Sequence, residues 1–290
     1  MAQKAADTGV GPAAIVAMEQ HFPEGERIIN DDLAYQILPF GVRAYIWLSR
    51  FSWARDWMVR AAEKKAPGVW AMALCRKRYI DDKVVEALVE QTETVVNLGA
   101  GFDTLAFRLS ALTNVPVWEV DQPDNINAKR SRLNKVFGEV PAHLTLVPID
   151  FDSQDLGAVL ASHDCAVDTR TFFILEGVTQ YLTEAGIHET FDFLAKAPAG
   201  SRLVFTYVRK DYMDGKDFYG HEFLYKKMLL KDKIWLFGMD PKDVANFLGG
   251  YGWRVLEHLG YKELADVYVK PTGRKLESLA LERVVYAEKL

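Results

Sequence analysis

From residue 94 onward the chain alternates short apolar runs with longer helical stretches, and that rhythm restricts it to one broad class of fold. The runs cover residues 94–98 (TVVNL), 115–120, 144–148, 171–175 and 202–208. Helical patterns separate most of them, over 103–112, 125–137 and 183–196. Strands alternating with helices make βαβ units, whose right-handed crossovers place helices on both faces of a mostly parallel sheet. Runs at 253–258 and 282–288 add a C-terminal pair, for a seven-stranded α/β sheet of Rossmann-like kind. The periodicity alone fits other doubly wound folds equally well.

The residues before this rhythm read as helix. Asn30, Asp31 and Asp32 are N-cap candidates for a helix over 33–38, interrupted by Pro39 and Gly41. A helical pattern rich in aromatics (Tyr45, Trp47, Phe51, Trp53, Trp57) covers 42–65 and stops at Pro67-Gly68. A further helix is expected over 69–90, with Ile80-Asp81 as a candidate break. Beyond the fifth run, 210–233 is charged and aromatic, and Asp240-Pro241 opens a helix that ends at Gly249-Gly250. One domain over 1–290 is predicted: a helical cap (1–90), a cofactor-binding core (91–208), a helical substrate-lid insertion (209–235) and a C-terminal helix with strands (236–290).

Composition narrows the function. A chain of 290 residues buries roughly three quarters of its unfolded surface and needs no covalent staple. Its two cysteines, Cys75 and Cys165, form no CxxC pair, so neither a disulfide framework nor a zinc site is expected. With 35 basic and 40 acidic residues the net charge is −5, which argues against a nucleic-acid partner. No apolar run reaches membrane-spanning length, and no signal-peptide core precedes Glu19. The expectation is a cytoplasmic enzyme with a small-molecule substrate and no metal.

The chemistry is signalled at Asn97-Leu98-Gly99-Ala100-Gly101-Phe102-Asp103-Thr104, between a strand and a helix. Gly99 and Gly101 permit a tight turn and close approach of a ligand to backbone. The next strand ends in Asp121, placed to accept hydrogen bonds from two ribose hydroxyls. A nicotinamide dinucleotide and S-adenosylmethionine both suit this geometry. Thr104 stands where a dinucleotide site needs its third glycine, and S-adenosylmethionine, which has no phosphate, tolerates that loss.

At these residues the chain resembles the leucine carboxyl methyltransferase family, a group of S-adenosylmethionine-dependent O-methyltransferases that includes bacterial polyketide O-methyltransferases. The matching stretches are Arg78-Tyr79-Ile80-Asp81-Asp82, VVNLGAGFDTLAFRL (95–109), WEVDQP (118–123), VPIDF (147–151) and LEGVTQYLT (175–183). The resemblance implies that Arg78 pairs with the cofactor's methionyl carboxylate, although composition alone reads Arg76-Lys77-Arg78 as a solvated basic run. It implies that Gly99 and Gly101 approach the methionyl and ribose parts and that Asp121 holds the ribose. Asp150 and Phe151 would meet the adenine; on composition, Asp150 belongs to a helix-capping run with Asp152 and Asp155. Glu176 would face the cofactor's amino group, and Tyr181 would border the methyl-transfer site. The product would be S-adenosylhomocysteine.

Methyl transfer is an in-line displacement that mainly requires alignment and exclusion of water. A carboxylate acceptor is already ionised at neutral pH, whereas a phenol would benefit from a base. His221 is the best placed of six histidines for that role, and with Tyr212 and Tyr219 it is a candidate for substrate binding. The alternatives are an NAD-dependent oxidoreductase and a non-catalytic cofactor-binding protein on the same fold.

Overall fold

The apolar runs become strands almost residue for residue. In the computed structural model, which describes residues 9–151, 153–165, 168–276 and 279–290, they are β1 (Thr94–Leu98), β2 (Val117–Asp121), β3 (Leu144–Pro148), β4 (Thr171–Leu175), β5 (Arg202–Val208), β6 (Trp253–Gly260) and β7 (Glu282–Lys289). They form one sheet in the order β3-β2-β1-β4-β5-β7-β6. The first five are parallel; β7 runs antiparallel to both β5 and β6. Asn97 pairs with Glu119 on one side and Ile174 on the other, so chain direction across the sheet switches at β1 and β4. A crevice opens at the carboxyl ends of strands at such a switch point.

The helices are α1 (Val10–Glu19), α2 (Phe40–Trp47), α3 (Ser52–Lys65), α4 (Val69–Val89), α5 (Leu105–Arg108), α6 (Pro123–Phe137), α7 (Leu156–Ala161), α8 (Glu184–Leu194), α9 (Lys210–Met213), α10 (Glu222–Tyr225), α11 (Val244–Gly250) and α12 (Tyr261–Tyr268). All five residues of β1 and of β4 are buried, which is why these strands are continuous apolar runs. Their side chains alternate between two cores. Val95, Phe172, Ile174 and Val204 join a core shared with α1, α4 and α6, while Val96, Leu98, Phe173 and Phe205 join one shared with α7, α8 and α11. The N-terminal helices therefore cover one face of the sheet, beside the crevice. None of the helices among the described residues is long and apolar enough to cross a membrane.

Several expected boundaries move, each for a local reason. Residues 33–38 form turns rather than a helix. Asp31 caps them as foreseen, accepting from the backbone N–H groups of Leu33 and Ala34, but Leu38 precedes a proline and is barred from helical geometry. The helix expected over 103–112 shortens to α5 because Leu109 adopts extended backbone, and a 3₁₀ turn follows at Ser110–Leu112. α4 continues unbroken through Ile80-Asp81, both buried. α11 starts at Val244, beyond Asp240-Pro241. Residues 1–8 of the expected cap and Asp152 of the acidic run lie outside the described residues.

One buried pair ties α6 to the sheet. Lys129 is 0% exposed; its ammonium meets the Glu119 carboxylate of β2 and donates to the carbonyl of Asp103. Burial raises the Glu119 carboxyl above its ordinary range, and Lys129 opposes that rise. Lys129→Met strands a buried carboxylate and is expected to lower the free energy of unfolding by about 3 kcal/mol in urea titrations. Lys129→Met combined with Glu119→Leu is expected to recover most of the loss; equal losses in both variants would contradict the pairing.

Candidate functional site

The glycine loop is fixed by two backbone hydrogen bonds and one carboxylate. Gly99 and Ala100 donate to the carbonyl of Val120 at 2.7 and 3.1 Å, pinning the loop to β2. Gly99 and Gly101 have φ of +75° and +50°, the left-handed region that favours glycine. Asp121, 7% exposed at the end of β2, accepts from the N–H of Gly101 at 2.6 Å, from the N–H of Gln122 at 2.7 Å and from Asn125 Nδ2 at 2.8 Å. A carboxylate offers about four acceptor positions, so Asp121 is held rigidly with capacity left for a ligand.

Beside this loop lies a network of buried ions. From α4, Arg76 donates through Nε to Glu176 at 2.6 Å and through Nη1 to Glu282 at 3.0 Å. Lys77 lies 2.9 Å from Glu176 and 3.3 Å from Asp103. Arg108 grips both oxygens of Asp81 at 2.7 Å and donates to Asp103 at 2.6 Å. Asp31 completes the set, facing Arg108 at 3.7 Å and accepting from the Thr104 hydroxyl. Burial by itself would raise the Glu176 carboxyl, but Lys77 and Arg76 outweigh it and hold that group below its usual range. The same balance, with Arg108 and Lys77 as the cations, keeps Asp103 ionised. Counted with Asp121, six carboxylates surround three cations, Arg76, Lys77 and Arg108. The excess of negative charge suits a cationic ligand.

A cavity of about 710 Å³ opens over these groups, within the range of small-ligand sites. Gly99, Gly101, Asp121, Asp150, Phe151, Arg76 and Glu176 line it at the carboxyl ends of the parallel strands. The rest of its wall mixes polar groups, among them Gln180, Thr183, Glu189 and His221, with apolar ones, Ile15 from α1, Val69 and Met72 from α4, and Leu224, Met228 and Trp235 from the segment after α9. A polar, net-negative end joined to a mainly apolar chamber fits a sulfonium nucleoside beside an apolar acceptor.

Placement of the sequence candidates divides cleanly. Gly99, Gly101, Asp121, Asp150, Phe151, Glu176, Tyr181 and His221 all line the cavity. Arg78, Tyr212 and Tyr219 do not. Arg78 lies on the outer face of α4, where its Nε donates to Asp82 one turn on at 2.9 Å; Arg76 occupies the inner face instead. The register of the helix explains the correction, because Arg76 and Lys77 share a face with the buried Ala73 and Ile80. Tyr212 is fully buried and donates to the carbonyl of His221, with its ring edge-on to Tyr225 and Trp235. Tyr219 donates to Asp211 at 2.6 Å under the Arg209 guanidinium. Both tyrosines hold the insertion together. Glu176, foreseen as a partner for a ligand amine, has both oxygens engaged by Arg76 and Lys77 and serves first to position those cations. Asp155 caps α7 as composition suggested, accepting from Ala158 N–H at 2.6 Å. The 209–235 segment and the N-terminal helices are the regions expected to meet the substrate, but the individual residues Ile15, Leu224, Met228 and Trp235 carry no sequence signal, since lone apolar residues far apart in sequence do not announce a shared wall.

The loop's geometry has a steric consequence. A Cβ on Gly99 would sit 2.2 Å from Val178 Cγ2. Gly99→Ala is expected to cost about 1–3 kcal/mol in thermal unfolding, from the clash and the positive φ together. Adding Val178→Ala is expected to restore the steric part only; an unchanged unfolding midpoint in Gly99→Ala would contradict the packing described.

Comparison with known proteins agrees with this geometry. The chain is 28% identical to YktD of Bacillus subtilis over 221 residues, covering 73% of this chain and 70% of YktD. It is 27% identical to SAV474 of Streptomyces avermitilis over 266 residues, covering 91% and 88%. Both relatives carry provisional names as S-adenosyl-L-methionine-dependent methyltransferases. A crystal structure from Thermobifida fusca, provisionally titled a methyltransferase, superposes with a TM-score of 0.58 at 14% identity, covering 83% of this chain and 90% of that one, and shows the shared fold. The sequence model of the leucine carboxyl methyltransferases matches residues 9–195, well over half of the chain, and the protein belongs to that family.

Proposed function

We propose that this enzyme, a methyltransferase dependent on S-adenosyl-L-methionine, methylates an oxygen of a small, largely apolar acceptor, a carboxylate in the first instance and a phenolic hydroxyl in the second. The observation that carries the reading is Asp121, a buried carboxylate fixed by the Gly101 amide at the mouth of the sheet's crevice. When bound, the cofactor supplies an electrophilic methyl group on a sulfonium with a good leaving group. The protein's task is to hold, orient and keep dry.

Each part of the crevice has a share in that task. Asp121 would accept from a ribose hydroxyl at its remaining position, and the bare backbone at Gly99 and Gly101 allows the nucleoside to come close. Arg76 would meet the methionyl carboxylate in place of Arg78. Asp150 and Phe151 would flank the adenine, one offering a hydrogen-bond acceptor and the other an apolar ring. The surplus negative charge around Glu176 and Glu282 favours a sulfonium over a neutral or anionic ligand. Tyr181 would border the acceptor, while Ile15, Met72, Met228 and Trp235 exclude water around it.

The family's description names a carboxyl acceptor. A carboxylate is ionised at neutral pH and needs no base; generating a phenolate costs about 4 kcal/mol there. Tyr219 and Tyr212 lie outside the cavity and supply no base, which leaves His221 as the group to test for phenolic acceptors.

A panel of carboxylic acids and phenols incubated with methyl-labelled cofactor tests the acceptor class. Label released as methanol by mild alkali identifies an ester, and alkali-stable label identifies an ether. Cofactor binding without transfer to any acceptor would favour a non-catalytic role. S-adenosylhomocysteine is expected to raise the melting temperature and NAD to leave it unchanged; the reverse would indicate an oxidoreductase. Asp121→Ala is expected to weaken S-adenosylhomocysteine binding by about 1–3 kcal/mol in calorimetry, through lost charge-assisted hydrogen bonds. Arg76→Gln is expected to weaken it at least about tenfold, roughly one charge-assisted bond, while Arg78→Ala leaves it unaltered.

A further inference from the structure

The outward face of α2 and α3 is built against the usual rule. A helix turned to water presents polar residues, yet here Phe40 is 84% exposed, Trp53 73% and Trp57 59%. Tyr45, Trp47 and Phe51 are exposed beside them. Along α3, Trp53, Trp57, Arg60 and Lys64 fall at the spacing of a single helical stripe, while Ala54 and Met58 turn to the core. Two tryptophans thus lead into two cations on one surface.

Charge sharpens the reading. Over residues 40–65 the exposed charges are Arg50, Arg60, Lys64 and Lys65 against Asp56, while Arg55 turns inward to the His21 carbonyl and the Phe22 ring, in a chain whose net charge is −5. The cations sit among the rings: Arg50 lies 3.5 Å over the centroid of Trp47. Exposed aromatic rings with interleaved basic groups are the chemistry of a protein surface that enters a lipid headgroup layer, where indoles prefer the interface and cations meet phosphates. A two-fold pairing of this face with a second copy would instead set its cations against one another.

The patch also reaches the rim of the cavity. Lys65, at the end of α3, lies 5.7 Å from the exposed ring of Phe223, whose neighbour Leu224 lines the cavity, as do Ala66 and Val69. We propose that the α2–α3 face docks on an anionic lipid surface, with Trp53 and Trp57 seated among the headgroups and Arg60 and Lys64 against their phosphates. Docked in this way, the rim formed by Ala66 and Leu224 lies against the lipid. The docking stands independently of the acceptor's identity, since none of these four side chains lines the cavity.

Sedimentation of the full chain with vesicles of equimolar phosphatidylglycerol and phosphatidylcholine, and with phosphatidylcholine alone, tests the proposal. Binding is expected to be at least about tenfold tighter to the anionic vesicles, to weaken in high salt, and to shift tryptophan emission to the blue. Trp53→Ser/Trp57→Ser is expected to abolish both binding and the shift, and Arg60→Glu/Lys64→Glu to abolish the anionic preference. Both variants are expected to keep the wild-type far-UV spectrum and to unfold within about 2 °C of it, as surface changes do. Absence of binding to anionic vesicles, or equal binding to both kinds, would overturn the proposal. So would a wild-type dimer, insensitive to vesicles, that Trp53→Ser/Trp57→Ser converts to a monomer, because the face would then cover a second copy.

Discussion

Arg76 and Lys77 reach from α4 across the open end of the sheet, and most of the site's geometry depends on that reach. Together they join the loop after β1 through Asp103, the end of β4 through Glu176 and the start of β7 through Glu282. Burial works against the charges of Arg76, Lys77 and Glu176, and each of these three is retained because two opposite charges face it. Arg108 pairs in turn with Asp81 and faces Asp31, so the N-terminal helices and the parallel core are fastened where the crevice opens. A network of this kind adds little net stability relative to an apolar core, and its value lies in fixing groups that must not drift.

How much of this is legible in the sequence depends on the range of the signal. β1, β4 and β5 coincide with their apolar runs because burial on both sides demands a nearly continuous apolar side-chain set, a strictly local property, and β3, an edge strand with Thr145 half-buried, coincides with its run too. The Gly99–Gly101 turn and Asp121 are legible for the same reason: strand, turn and acid lie within about one βαβ unit. Arg78 against Arg76 shows where reading by motif alone misleads. Only Arg78 opens the stretch matched to the family; Arg76 belongs to the same basic run, and the helical register, counted from Ala73 and Ile80, separates the inner residue from the outer one.

The apolar chamber was not legible. Its wall joins Ile15, Met72, Met228 and Trp235, which are distant in sequence and meet only after α1 and the segment beyond α9 fold over the crevice. Tyr212 and Tyr219 drew attention as aromatics in a variable segment, but their hydroxyls are spent on His221 and Asp211 within that segment. The cavity consequently has two ends of different origin. The polar end is built from the regular core and its glycine loop, and the apolar end from α1, α4 and the segment between α9 and α11.

The claim on which all of this turns is that the crevice at the ends of β1, β2 and β4 is formed and charged for a sulfonium nucleoside. A crystal structure with S-adenosyl-L-methionine, whose sulfonium carries the charge in question, tests it most directly. The account predicts the nucleoside seated over Gly99 and Gly101, a ribose hydroxyl within hydrogen-bonding distance of Asp121 and its amino-acid end toward Arg76. Ligand bound elsewhere on the protein, or an empty crevice at saturating ligand, would contradict it.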